Sequence, residues 1–119
     1  MKFQPKKRVL VCGGREFTDW EYFRQTMEDI LPWLDKDVIF ISGGARGADT
    51  MIINWCTARG LPCAVVRANW EYYRREAGSR RNSWMLLLEP DLVVAFPGGA
   101  GTANMIKQSK SRGIDVYEK

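Results

Sequence analysis

The stretch Leu92-Val93-Val94-Ala95-Phe96-Pro97-Gly98-Gly99-Ala100-Gly101-Thr102 decides the fold. Residues 92–96 form a continuous apolar run, not a strict alternation, which suits a strand buried on both faces of a parallel sheet. Pro97 stops that run, and the glycines lead into a helical pattern over 102–112. Gly113 is placed to end that helix in a left-handed turn. The same succession recurs upstream. Strand-like runs lie at 8–12, 38–42 and 63–67, and a fifth follows at 114–117. Helical patterns separate them. Over 19–34, Trp20, Phe23, Met27, Ile30, Leu31 and Leu34 make one apolar face, and Thr18 with Glu21 reads as a capping box. A second helix over 49–59 is stopped by Gly60 and Pro62, and a third over 79–88 by Pro90. The alternation predicts right-handed crossovers and an α/β three-layer sandwich around a five-stranded, mainly parallel sheet.

Length and composition narrow the function. A chain of 119 residues predicts one domain, 1–119, because halves would be too small for ordinary cores. Apolar residues make up 45%, a globular fraction. No apolar run approaches a bilayer span, and the run after the basic start stops at Cys12, too short for a signal peptide core. The expectation is a soluble cytoplasmic protein without membrane association. There is no histidine, which excludes Ser-His-Asp and Cys-His nucleophilic machinery and histidine-bearing metal sites. Cys12, Cys56 and Cys63 show no C-x-x-C spacing, so neither a metal site nor a disulfide framework is expected. Cys12 and Cys63 read as inert core residues. Net charge is +4, and Arg74-Arg75-Glu76-Ala77-Gly78-Ser79-Arg80-Arg81 concentrates four arginines. That favours an anionic partner over a neutral one.

Glycine-rich loops follow three of the strands: Gly13-Gly14-Arg15, Gly43-Gly44-Ala45-Arg46-Gly47-Ala48-Asp49, and Pro97-Gly98-Gly99-Ala100-Gly101-Thr102. In a parallel sheet the carboxyl ends share one edge, so these loops converge there, where open α/β sheets bind ligands. Glycines admit a ligand close to the backbone, and a helix N-terminus offers unpaired N–H groups and partial positive charge to a phosphate. The loop 98–102, opening the fourth helix, is the best phosphate seat. Two familiar signatures fail. Gly47 is followed by Ala48-Asp49, not by the Lys-Ser/Thr of a P-loop, and the residues after the first strand do not make G-x-G-x-x-G. No resident cofactor is expected.

Pro97-Gly98-Gly99-Ala100-Gly101-Thr102 resembles the PGGxGT motif of the LOG ("lysine decarboxylase-like") proteins. The wider pattern resembles the YspA-like branch of the SLOG superfamily. It comprises Gly13-Gly14-Arg15-Glu16-Phe17, Ser42-Gly43-Gly44-Ala45-Arg46-Gly47-Ala48-Asp49, Trp70, Ala77-Gly78, Arg81-Asn82 and Ala95-Phe96-Pro97-Gly98-Gly99. The resemblance spans roughly Val9 to Val116 and implies a Rossmann-like fold that binds nucleotides or nucleotide-derived, phosphoribosyl-containing ligands. It further implies a sensor or sequestering role for a signalling nucleotide, in phage or bacterial conflict. LOG enzymes cleave nucleoside 5′-monophosphates at the N-glycosidic bond, and the related DprA proteins bind single-stranded DNA. Both activities stand as alternatives. In LOG enzymes the motif continues to a catalytic glutamate, and the equivalent position here is Met105. Their Arg-Lys pair resembles Arg81-Asn82, which keeps only the arginine. Met105 can neither stabilise an oxocarbenium-like centre nor activate water, so Glu16, Asp49 or Glu71 would have to supply a carboxylate.

Single residues divide by position. Arg15 is placed to contact phosphate or ribose, and Arg46 lies in a tight turn that faces the ligand edge. Asp49 is placed either to accept from a ribose hydroxyl or to cap the second helix. Arg80 and Arg81 open the third helix, where a cation opposes the helix dipole unless an anion relieves it. Trp70, Tyr72 and Tyr73 either stack on a base or pin the long loop 68–78. The succession Trp84-Met85-Leu86-Leu87-Leu88 cannot all face the sheet, so that loop or a second subunit must cover part of it, and a homodimer or larger assembly is expected.

Overall fold

The computed structural model describes residues 4–119. Its strands are β1 (Lys6–Cys12), β2 (Leu34–Ser42), β3 (Cys63–Val65), β4 (Leu92–Ala95) and β5 (Asp115–Glu118). Its helices are α1 (Trp20–Ile30), α2 (Ala48–Arg59), the single turn α3 (Trp70–Tyr73), α4 (Ala77–Leu86) and α5 (Ala100–Ser111). The sheet runs β3-β2-β1-β4-β5, and every neighbouring pair is parallel. The chain thus winds outward from β1 in one direction and from β4 in the other, the Rossmann-like arrangement. Among the described residues no helix is long and apolar enough to cross a membrane.

Two cores, one on each face, hold the three layers together. Val9, Val11, Phe40, Val94 and Phe96 meet Phe23 and Met27 of α1 and Ile52 and Trp55 of α2. Leu10, Cys12, Ile41, Val93 and Ala95 meet Met85 and Leu86 of α4 and Met105 of α5. Successive strand residues serve opposite cores, which is why the strands read as unbroken apolar runs.

Several boundaries move for local reasons. Helix α1 ends at Ile30, and a 3-10 turn over Leu31–Trp33 follows, with Pro32 in its first positions. Leu34 therefore opens β2 instead of closing the helix, and its pairing with Lys6 is followed by a register shift before Arg8 pairs with Ile39. The cap is Asp19, not Thr18: its Oδ1 accepts the Tyr22 N–H at 3.1 Å. The stretch expected as an irregular loop carries α3, capped by Asn69 accepting from Tyr72 N–H at 3.1 Å, and a 3-10 turn over Arg74–Glu76. Helix α5 starts at Ala100, two residues early, which brings its N-terminus directly against Gly99. Trp20, placed on the apolar face of the first helix, is exposed, as is Trp33, whereas Trp55 of α2 is buried.

Phe23 is fully buried and centres an aromatic cluster, 4.7 Å from Phe96 and 5.7 Å from Trp20 between ring centroids. Phe23→Ala is expected to destabilise the protein by about 3–5 kcal/mol. The check is a lowered urea midpoint with an unchanged slope.

Candidate ligand-binding cleft

The loops after β1 and β4 face each other because these neighbouring strands begin the two opposite windings. Their approach is close enough to exclude side chains. A Cβ on Gly13 would lie 2.6 Å from Ala48 Cβ, and one on Gly14 would lie 2.9 Å from both Gly98 Cα and Pro97 O. Gly14 N–H donates to Pro97 O at 2.8 Å, and Gly14 O accepts from Phe17 N–H at 3.2 Å and Ala48 N–H at 3.4 Å. Gly47, with φ +76°, passes so near Gly14 O that a Cβ there would collide with it. Gly98 is equally confined, by Gly14 N and the Thr102 hydroxyl. Gly99 and Gly101 differ: a Cβ on either would meet nothing within 4 Å.

Beside this junction opens a cleft of about 630 Å³. Gly99, Ala100, Gly101 and Thr102 form one side, where α5 begins without a side-chain cap. The first-turn N–H groups of a helix have no intrahelical partner. Thr102 is only 8% exposed and lines the cleft, and its hydroxyl has no hydrogen-bond partner among the described residues.

Asp49 and Arg81 lie at the cleft floor. Both border the space beside Gly43, where a Cβ would lie 2.7 Å from the Arg81 guanidinium carbon and 2.9 Å from Asp49 Oδ2. Arg81 Nη1 donates to Gly43 O at 2.8 Å, and its Nε donates to Asn82 Oδ1 at 3.2 Å. Asn82 in turn donates to Gly101 O at 3.2 Å and to Asn104 Oδ1 at 3.0 Å, tying α4 to α5. Asp49 is 5% exposed and sits in the first turn of α2, whose N-cap is Gly47. Its Oδ2 accepts Ala45 N–H at 3.1 Å, so the carboxylate braces the second glycine loop. Burial pushes the Asp49 carboxyl up from its ordinary value, against the opposing pull of the Ala45 N–H, Arg81 and Arg15. Burial likewise draws Arg81 down, although Asp49 opposes this. Cys12, also on the floor, is pushed up to about 12 by burial, with Asp49 adding to the shift. It is an inert thiol at neutral pH.

The rim is cationic and aromatic. The Arg15 guanidinium lies 5.1 Å from the centre of the Trp70 ring, and Trp70 packs on Gly78. Arg75 completes this side. Next to it Arg74 adopts φ 56° and ψ −119°, a strained conformation for a residue with a side chain.

Some expected residues stand apart from the cleft. Arg46 turns outward and pairs with Glu16 at 2.9 Å, with both side chains largely exposed. Arg80 pairs with Glu76 and stacks on Tyr73, 4.5 Å from the ring centre. Gly44, with φ +72°, gives its carbonyl to Arg67. Gly43, Gly47 and Gly98 shape the loops from behind, and Pro97 and Gly98 line a second, adjoining cleft. Conversely, Arg75, Ser79, Met85 and Asn104 line the cleft without having been singled out. Arg75 belongs to the arginine cluster, and Asn104 falls one helical turn after Gly101, which is the signal each offered.

Fold and cleft together define a doubly wound α/β domain with a glycine-lined cleft at its switch point. The chain belongs to the YspA, cpYpsA-related SLOG family, whose pattern matches residues 7–73. It is 30% identical to the Gene 61 protein of Mycobacterium phage D29, over 92% of this chain and 94% of that protein. Its fold is similar to that of DNA processing protein A (DprA) from Streptococcus pneumoniae, with a TM-score of 0.74 and 15% identity over 94% of this chain. The chain spans 50% of the DprA chain.

The Asp49 carboxyl is expected to titrate above its ordinary value of 3.8 and to move higher still in Arg81→Met, which removes a cation favouring the ionised form. The native state holds this proton more tightly than the unfolded chain does. The group therefore favours folding most at low pH, and that contribution declines as pH rises from 3.8 through the raised native value. Carbon-detected NMR titration of the carboxyl checks this, and a value unmoved by Arg81→Met refutes it.

Proposed function

We propose that the cleft binds a nucleotide or nucleotide-derived, phosphoribosyl-containing ligand and holds it without turnover, as a sensor or sequestering protein does. The observation that carries this reading is the uncapped start of α5, open at Gly99 and Gly101, with the unpartnered Thr102 hydroxyl beside it. An anion there gains the first-turn N–H groups, the helix dipole and the hydroxyl together. Arg15, Arg75 and Arg81 line the same cleft, and their charges outnumber the single carboxylate of Asp49. Trp70, half exposed at the rim, offers a face for a base. Asp49 keeps an oxygen within reach of a ribose hydroxyl while the other accepts from Ala45.

The acid inventory supports binding without turnover. Met105, where LOG enzymes place a glutamate, is 1% exposed and packed into the core between α5 and the sheet. Glu16 is paired with Arg46 outside this cleft, and Glu71 does not line it. Among the described lining residues Asp49 alone remains, already bracing the second glycine loop.

We further propose that the protein self-associates through the end of α4. Trp84 is partly covered by Tyr73, 5.6 Å away between ring centroids, while Leu87 and Leu88 remain exposed at 71% and 41%. Light scattering at micromolar concentration is expected to show a dimer or larger for the wild type and a monomer for Leu87→Glu. A monomeric wild type refutes this.

Adenosine 5′-monophosphate is expected to bind by calorimetry, and Gly101→Asp to weaken it by about tenfold or more. The substitution occupies open space in the first turn of a helix, where an acidic residue suits the dipole, so the fold is retained. Unchanged affinity in a folded variant overturns the phosphate seat. Chromatography of the same mixture is expected to show no free adenine, and rapid release overturns binding without turnover.

A further inference from the structure

Away from the cleft, two cysteines meet where α2 turns into β3. Gly60 ends α2 in the left-handed conformation, with φ +69°. Leu61 N–H donates back to Cys56 O at 2.9 Å, and Gly60 N–H donates to Thr57 O at 3.3 Å. These two bonds make the Schellman motif, which folds the outgoing chain against the last turn of its own helix. Pro62 O accepts from Phe40 N–H at 3.0 Å, and Cys63 opens β3 opposite Phe40. The turn thus returns Cys63 to Cys56, and the Cys56 S–H donates to the Cys63 sulfur. Both side chains pack in the core beneath α1 and α2. Cys56 is 1% exposed, whereas Cys63, expected in the core from its apolar run, is only part-buried. The sheet separates both from Cys12, which lies in the opposite core.

The two thiols are not equivalent. The hydrogen bond from Cys56 draws the Cys63 thiol down from its ordinary value, against burial and the charge of Asp49. The same bond, together with burial, pushes the Cys56 thiol up. Cys63 is therefore the thiol that ionises within reach of solvent, and Cys56 is held protonated behind it. A reachable thiolate backed by a second thiol in contact has the layout of an attacking and a resolving cysteine.

From this contact at the α2–β3 turn we infer a modification site: Cys56 and Cys63 close to a disulfide by exchange with a small disulfide such as oxidised glutathione. The Cys63 thiolate attacks one glutathione sulfur, the glutathione S–S bond breaks, and one glutathione leaves as its thiolate. That thiolate takes the Cys56 proton. The Cys56 sulfur then attacks Cys63 Sγ, and the second glutathione leaves, taking up the proton that Cys63 released. The protein loses two electrons and two protons, and one glutathione disulfide becomes two thiols. Strand β3 is three residues long and pairs on one side only, with β2. The disulfide fastens that edge to α2. Beyond it, Val66 N–H donates to Ser42 O at 2.8 Å and Arg67 Nη1 to Gly44 O at 3.0 Å, so the edge made firm by oxidation is the one that supports the second glycine loop.

The reduced wild type, incubated with oxidised glutathione, alkylated with iodoacetamide and read by intact mass and peptide mapping, tests this. The expected product is lighter by two hydrogens, joins the Cys56 and Cys63 peptides, and has Cys12 alkylated only after unfolding in urea. Its thermal midpoint is expected to rise by a few degrees over the reduced form. Cys56→Ala is expected to stop at the mixed glutathione disulfide on Cys63. Cys63→Ser, at a part-exposed position and with circular dichroism verifying the fold, is expected to give neither disulfide nor adduct. Three alkylatable thiols in the treated wild type overturn the site, as does a lasting glutathione adduct or a bridge to Cys12. A glutathione adduct on Cys56 in Cys63→Ser overturns the order of attack, and an unraised midpoint in the oxidised protein overturns the fastening of β3.

Discussion

Three strand-ending loops meet on the backbone of Gly14. Its N–H is given to the loop after β4, its carbonyl receives Ala48 N–H at the start of α2, and Gly47 crosses that carbonyl at contact distance. No side chain fits at Gly14, Gly47 or Gly98 without pushing these backbones apart. The positions of α2 and α5 relative to the sheet are thereby set by backbone contact, and the cleft is the space left beside that contact. A methyl group at Gly14 costs more than local strain, because the loops it would separate carry the cleft's lining.

The electrostatic layer rests on this steric one. Arg81 enters the space that Gly43 leaves open and spends hydrogen bonds on the Gly43 carbonyl and on Asn82. Asn82 passes the constraint to Gly101 and Asn104. Asp49, buried across from Arg81, holds the second glycine loop through Ala45. Burying an isolated charge is expensive, and a nearby opposite charge with fixed hydrogen bonds offsets much of the cost. Arg81 and Asp49 thus tie the cleft floor to the second glycine loop, and Asn82 carries the tie on to α5. The exposed rim, built from Arg15, Trp70 and Arg75, has fewer such ties.

Much of this was legible in the sequence because strand runs and glycine loops follow one another in a fixed order. The apolar runs located the strands, and parallel pairing brought Gly13-Gly14, the 43–49 loop and the 97–102 loop to one edge. What was harder to read depended on competition between neighbours. Asp19 takes the cap from Thr18 because it lies one residue nearer the helix and its carboxylate reaches Tyr22 N–H. Pro32 was a visible stop signal, yet Leu34 continued the helical apolar spacing and masked it. Arg46 and Arg81 look alike as arginines near glycine loops. Only the backbone path turns one out to Glu16 and the other in toward Asp49. The helical turn at Trp70–Tyr73 depends on a single cap, Asn69, in a stretch without apolar periodicity.

At the opposite end of the sheet, Asp91 accepts the backbone N–H groups of Lys7 at 2.9 Å and Arg8 at 3.0 Å, and its own N–H donates to Arg8 O. This carboxylate fastens β1 to β4 at their amino ends, as Gly14 fastens them at their carboxyl ends. Two strands clamped at both ends cannot splay like the jaws of a hinge. The side of the cleft is built instead from the short segment that carries Trp70, the strained Arg74 and Arg75.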